Sequence, residues 1–319
     1  MSMGGFSERP VNQTSELRVD VVHRKGILLA LIESLRLHQW AKNLLIFVPL
    51  LLAGKIDHVE VWIACVLGFI AWGILASSTY LLNDFWDLPH DRNHWSKRKR
   101  PLANGDLPIS VALVVAPIGA LVSFGITASV NSGALLILIV YGALTLTYSL
   151  LLKRIPILDV CILAILFTLR LVFGIQLAGV EASPWLLVFS MFVFTSLSLA
   201  KRYTEVGRNG ALGREKVNGR GYDAKDGPLL LGLGLSTSAG AIVILVLYLI
   251  NEAFSEPFYK TALLLWAWPV ILFFWLGRIW LLAGRDKLDD DPLQYAVRDV
   301  ISLLLGAAMV VTFLIAWRL

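Results

Sequence analysis

Two cysteines in 319 residues leave no material for a disulfide framework, and Cys65 and Cys161 both fall inside apolar runs where a staple would brace nothing. Charge is scarce as well: Asp, Glu, Lys and Arg make up 16% of the chain against 57% hydrophobic residues, with a mean hydropathy of +0.72. A soluble fold, whose composition is roughly half apolar, is thereby excluded. A bilayer accepts such a chain at about 20 residues per spanning helix. The stretch 26–32 is not expected to be a span or a secretory leader, since it is too short for a span, meets Glu33 at once and is followed by no small-residue cleavage site. No repeat relates the two halves, which argues against a transporter built from inverted repeats.

What is present is a succession of nine apolar segments. They fall at 44–54, 59–82, 108–130, 133–152, 155–179, 184–200, 228–251, 261–284 and 300–317. The first is short and is expected to begin near Leu37, with Trp40 as an interfacial anchor. The reading is an all-α polytopic membrane bundle of about nine transmembrane helices, forming one domain over 26–319 behind a disordered tail at 1–25. With the N-terminus placed in the cytoplasm, 23 of the 28 Lys and Arg fall on cytoplasmic segments and three outside. Two more, Arg170 and Arg278, lie within spans. That bias sets the orientation, in what is expected to be a bacterial inner membrane. It also accounts for the net charge of +5 without nucleic acid. Two long cytoplasmic loops, 83–107 and 201–227, contrast with outer connections as short as 131–132. Chemistry is expected at this cytoplasmic mouth, where loops sit on a rigid scaffold.

The first long loop opens with Asn83, Asp84, Asp87 and Asp91. Spacings of i, i+3, i+7 and i, i+4, i+8 place these on one helical face, although Pro89 is expected to break the helix and carry Asp91 onto a second short one. Carboxylates so close repel unless a cation neutralises them, and hard oxygen ligands suit Mg²⁺ shared with substrate phosphates. Lys97, Arg98, Lys99 and Arg100 follow within ten residues. Metal and cations together can grip different oxygens of one diphosphate. His90 and His94, four apart, invite a zinc reading, which the missing thiol and hard neighbours set aside.

Asn83-Asp84-x-x-Asp87-x-x-x-Asp91, then Lys97-Arg98-x-Arg100-Pro101-Leu102-x-x-Gly105, resembles the first signature of the UbiA superfamily of intramembrane prenyltransferases. The resemblance implies a nine-helix bundle with a cytoplasmic-side cavity and Mg²⁺-bound diphosphate. It assigns Asn83, Asp84, Asp87 and Asp91 to metal and diphosphate, and Lys97, Arg98 and Arg100 to phosphate. The second aspartate-rich motif of that superfamily is absent in its common form. Lys201, Arg202, Tyr203, Thr204 and Glu205 stand in its place, followed by Arg220. Lys201 and Glu205 are read either as an i, i+4 salt bridge or as one acidic ligand with added cations for a more phosphorylated substrate.

Three stretches, around Arg36–Asn43 (which includes Lys42), Lys201–Glu205 and Asp291–Asp299, are similar to decaprenyl-phosphate phosphoribosyltransferases, and also to the membrane half of fusions carrying a phosphatase-like domain. The first likeness implies transfer of phosphoribosyl from phosphoribosyl diphosphate to a polyprenyl phosphate, leading towards D-arabinofuranosyl donors. Arg170, Lys201 and Arg202 are expected near the cytoplasmic ends of the fifth and sixth spans, where a 5-phosphate needs its own cations. A charge inside a membrane span is a functional candidate by default; the bland alternative for Arg170 is a buried pair with Asp159. Tyr148 and Lys153, at the end of the fourth span, are further candidates, and assembly as an oligomer is compatible with all of this.

Overall fold

The computed structural model describes residues 26–93, 97–217, 219–288 and 292–318. The expected tail at 1–25, His94 of the zinc reading and Asp291 lie outside them. An apolar run in a bilayer must satisfy every backbone N–H and C=O internally, and a helix does so. Helix α1 (Ile27–Ser34) leads through a 3₁₀ segment (Leu37–Phe47) into the short α2 (Val48–Leu52). Then come α3 (Val59–Trp86), α4 (Leu88–Arg92), α5 (Pro101–Asn104), α6 (Ile109–Val130) and α7 (Ser132–Leu150). The chain continues with α8 (Leu158–Ala178), α9 (Pro184–Ala211), α10 (Gly227–Asn251), α11 (Ala267–Gly284), α12 (Pro292–Arg298) and α13 (Val300–Arg318).

Among the described residues, eight helical stretches are long and apolar enough to cross a membrane. The span expected at 44–54 is not one of them. Its polar Gln39, Lys42 and Asn43 and the helix-initiating Pro49 divide the stretch into a 3₁₀ run and one short helix. A 3₁₀ run this long is uncommon and marks strain or a functional constraint. Ile46 lays its carbonyl against α8 at Gly174, where any Cβ would collide with that backbone. Two other spans run further than the apolar pattern suggested. α3 continues to Trp86 and α9 to Ala211, because a helix that has left the apolar layer can carry polar residues into water. Asn83, Asp84 and 201–205 are therefore helical.

Helix starts follow local chemistry. The Asn131 side chain accepts from the Ala134 N–H at 3.0 Å, and Ser183 accepts from Leu186 N–H at 3.0 Å with Pro184 in the first turn. α8 is the axis of the bundle: 61% of its apolar window is buried, against 17% for α6 and α13, whose outer faces are left to lipid. One apolar core joins α8 to α3 and α7 around Trp72, Tyr141 and Phe173. A second joins it to α9, α10 and α11 around Phe194, Trp268 and Trp280.

Candidate functional site

The polar ends of α3, α7, α8 and α9 meet at one end of the bundle and form two charged clusters. In the first, Pro89 acts as expected: α3 stops at Trp86, and α4 starts anew with Pro89 in its first turn. The restart turns Asp91 back beside Asp84, and both are buried. Arg100 Nη1 donates to Asp84 at 3.0 Å and also to Asp91, and Arg36 Nη2 donates to both Asp84 oxygens. Burial pushes the Asp91 carboxyl up, and the Arg100 guanidinium offsets part of that. Asp87 turns elsewhere. It accepts from Lys153 Nζ at 3.1 Å and from Asn83 Nδ2 at 3.2 Å. Lys97 and Arg98 lie on the exposed 3₁₀ turn Lys97–Lys99 beside the cluster.

The second cluster surrounds Asp159, in the first turn of α8. Arg202 donates through Nε to Asp159 (2.6 Å), through Nη1 to Glu205 (2.6 Å) and through Nη2 to the Tyr148 hydroxyl (3.2 Å). Arg220 reaches the same groups, with Nε 3.2 Å from Glu205 and Nη1 3.3 Å from Tyr148 Oη. Tyr222, on the loop after α9, donates to Asp159 at 2.6 Å and accepts the Ile157 N–H at 2.7 Å. Burial and the carboxylate it serves hold its phenol well above the usual range. Ile157 has φ 65°, a left-handed conformation costly for a β-branched residue, and Tyr222 fastens it there. Glu205 thus pairs with Arg202 and Arg220, while Lys201 contributes at longer range as one of the nearby positive charges. Tyr148, in the last turn of α7, and Lys153, on the 3₁₀ turn Leu152–Arg154 that follows it, each touch one cluster.

Arg170 departs from its expected place. It lies twelve residues into α8, about 18 Å from the helix start at 1.5 Å per residue, and not at the end of the helix that carries the two clusters. Asp159 is not its partner either, being taken by Arg202 and Tyr222. Arg170 Nε instead donates to Asn43 Oδ1 at 3.0 Å, and the guanidinium lies over the rings of Trp72, Tyr141 and Phe167. Lys42 Nζ stands 5.9 Å from the centre of the Phe167 ring, and Lys42 lines a cavity of about 250 Å³ with His38, Gln39, Gln294 and Arg298. Two stretches picked out in the sequence meet there, Gln39 donating to Gln294 at 3.1 Å. Arg278, which the sequence left without a role, is bidentate with Asp299 at 2.6 and 2.8 Å, clamping α11 to the start of α13.

Hard oxygen donors suit a divalent cation, and two of them, on Asp84 and Asp91, already converge on one point, held by Arg100. Among the described residues no three His, Cys, Asp or Glu side chains gather into a protein-only cage. The donor set therefore fits an ion shared with phosphate oxygens, which needs only one or two carboxylates. Sequence reasoning passed over Arg36, Asp159 and Tyr222 as members of the site. Arg36 carried a signal in the stretch it opens, but it counted only as one more cation of the basic collar. Its backbone is left-handed, φ 51°, which no spacing rule reveals.

Comparison with known proteins places these residues in context. The profile of the UbiA prenyltransferase family matches residues 44–295. The chain is 40% identical over 285 residues to the uncharacterized protein y4nM of Sinorhizobium fredii, covering 89% of this chain and 55% of that protein. It thus spans about half the length of that relative. Nodulation protein NoeC of Azorhizobium caulinodans is 31% identical, with 90% of this chain and 93% of that one covered. A decaprenyl-phosphate phosphoribosyltransferase of Mycolicibacterium smegmatis is 33% identical over 186 residues, 57% of this chain and 58% of that one. Among solved structures, a UbiA homologue from Archaeoglobus fulgidus bound to DMAPP and Mg²⁺ has the same fold. It superimposes with a TM-score of 0.67 at 16% identity, covering 90% of this chain and 99% of that one.

Proposed function

The chain belongs to the UbiA prenyltransferase family, and from that premise we propose that it is a Mg²⁺-dependent membrane transferase that displaces diphosphate, moving 5-phosphoribosyl from phosphoribosyl diphosphate to a polyprenyl phosphate. It is an integral membrane protein, with eight apolar helices of spanning length among the described residues. The site opens to the cytoplasm of a bacterial inner membrane in this reading, the side on which Lys and Arg concentrate. The observation that carries the proposal is the presence of two charged clusters joined by the end of α7. An allylic donor offers one diphosphate and an apolar tail. A phosphoribosyl donor offers a diphosphate and a separate 5-phosphate, and so calls for two cationic loci.

In this reading Asp84 and Asp91, with Asn83 and Asp87 alongside, would hold Mg²⁺. The bound ion would stabilise charge building on the departing diphosphate. Lys97, Arg98 and Arg100 take diphosphate oxygens that carboxylates cannot. Lys153 holds Asp87 in place, a pair 3.1 Å apart. Arg220 and Lys201 face the 5-phosphate, with Arg202 and Glu205 fixing the geometry and Tyr148 donating from between the clusters. Attack by the lipid phosphate on the anomeric carbon then forms the new C–O bond as the C–O bond to diphosphate breaks. The likeness to decaprenyl-phosphate phosphoribosyltransferase supports the choice of substrates.

The test offers purified protein two substrate pairs, labelled phosphoribosyl diphosphate with polyprenyl phosphate, and polyprenyl diphosphate with aromatic acceptors. Mg²⁺-dependent diphosphate release from the first pair, abolished by a chelator, is expected. Turnover of the second pair alone would overturn the phosphoribosyl reading and leave the family assignment standing.

A further inference from the structure

Deeper in the bundle than the carboxylate cluster, a group of buried donors has fewer acceptors than it can use. Arg170 is 5% exposed, and its three hydrogen bonds go to Asn43 Oδ1, the Leu166 carbonyl (2.6 Å) and the Tyr141 hydroxyl (3.3 Å). All three acceptors are neutral. Among the described residues no carboxylate lies within ion-pair distance of this guanidinium, and two of its five N–H groups remain unused. Asn43 is 1% exposed and its Nδ2 has no partner; the Nε1 of the fully buried Trp72 and the Thr145 Oγ1 make no close hydrogen bond and share the Tyr141 hydroxyl with Arg170 as their nearest polar group. These groups sit together. Asn43 touches Arg170, the Trp72 ring lies 5.5 Å from the guanidinium carbon and 4.3 Å from the Tyr141 ring, and Thr145 is one turn along α7 from Tyr141.

A buried cation without a counter-charge is costly, and so is each unpaired buried donor. Their coincidence at one place indicates a ligand that is both anionic and rich in acceptors. A carboxylate has two oxygens in one plane. Donors arriving from α3, α7, α8 and the 3₁₀ segment match the three terminal oxygens of a tetrahedral phosphate better. The place is distinct from the carboxylate cluster, since Trp72 and Asp84 are twelve residues apart on α3, about 18 Å along its axis. That is further than one pentose bridges, so the two sites cannot hold the two phosphate groups of a single phosphoribosyl donor.

We propose that Arg170, Asn43, Trp72 and Thr145 form a second anion site inside the bundle that takes a phosphate monoester. The inference does not depend on which transfer reaction the chain performs. The phosphate can arrive as a lipid headgroup from the bilayer or as a soluble ion. The full-length protein, in nanodiscs with a chelator present, is titrated with a short polyprenyl phosphate, with the matching neutral polyprenol, and with inorganic phosphate. Thermal unfolding and ³¹P line broadening report binding. Stabilisation by polyprenyl phosphate but not by polyprenol marks a lipid source, and stabilisation by inorganic phosphate marks a soluble one. Either supports the site when Asn43→Asp and Thr145→Val weaken it, since the proposed reaction also binds a polyprenyl phosphate. Asn43→Asp supplies an internal anion to Arg170 and should unfold no earlier than wild type without ligand, yet bind phosphate at least about tenfold more weakly. Thr145→Val, which keeps the side-chain shape, should weaken binding several-fold. Phosphate affinity unchanged in both variants, binding that requires the divalent ion or Asp87, or equal response to polyprenol would overturn the site. Loss of phosphoribosyl transfer with binding intact would count only against the proposed reaction.

Discussion

Asp87 and Asp159 are carboxylates that face cations at the same end of the bundle, yet their removal should have opposite signatures. Asp87 is partly exposed and pairs with an equally accessible Lys153, so the ion pair itself adds little to stability. Asp87→Asn should leave thermal unfolding nearly unchanged while lowering turnover by at least about a hundredfold, because lost charge stabilisation in the transition state is worth several kcal/mol. Near-normal turnover at saturating Mg²⁺ would defeat its assignment. Asp159 is fully buried against an Arg202 that is 1% exposed. Asp159→Ala strands that guanidinium and should destabilise the protein by roughly 3–5 kcal/mol, readable by chemical unfolding in detergent. Arg202→Lys keeps the charge but cannot hold Asp159, Glu205 and Tyr148 together. KM for phosphoribosyl diphosphate should then rise at least about tenfold while that for the lipid phosphate barely moves. A parallel rise in both would show general damage to the bundle instead.

At the scale of elements, the seat of the 3₁₀ segment on α8 depends on one missing side chain. Gly174→Ala forces its new Cβ into the Ile46 backbone and should cost about 1–3 kcal/mol as an overpacked contact. The same change at Gly207, which has open space around it, provides the control. The clamp between α11 and α13 carries a pH dependence. Partial burial pushes the Asp299 carboxyl up, but Arg278 and the backbone N–H of Ser302 pull harder and hold it at about 2. A carboxyl depressed in the folded state contributes stability above its unfolded range and loses it as pH falls towards 2. Wild type should therefore lose stability relative to Asp299→Asn between about pH 4 and pH 2. Parallel acid unfolding of the two proteins would contradict the clamp.

For the whole molecule, orientation is the property most directly testable. Asn104 and Asn209 lie at the end of the bundle that holds both clusters, and Ser132 and Ser183 at the other, where α7 and α9 begin. Cysteines placed at the first two positions should react with an impermeant thiol reagent only from the cytoplasm, and at the last two only from outside. Reaction of Asn104→Cys from outside would invert the molecule and move the site to the other compartment. The peripheral position of α6 and α13 belongs to this scale too. Their outward faces stay apolar because lipid, and not protein, is their neighbour.

The sequence by itself determined the helical membrane class, the spans from 59 onward and the carboxylate and cation runs of the first loop. Those properties are local: hydropathy acts along the chain, and Pro89 breaks a helix wherever the fold carries it. Tertiary structure alone decided which charges meet. Asp159 and Arg170 share a helix but not a contact, since Arg202 reaches Asp159 from α9 and Arg170 points into an aromatic box made by α3 and α7. The division of the first span likewise depends on a neighbour, because only the packing of Ile46 on Gly174 reveals what the segment is for. Ion pairs between distant helices carry no periodic trace in a chain. Burial decides whether each is a weak surface pair or a costly internal one, and burial is a property of the assembled bundle.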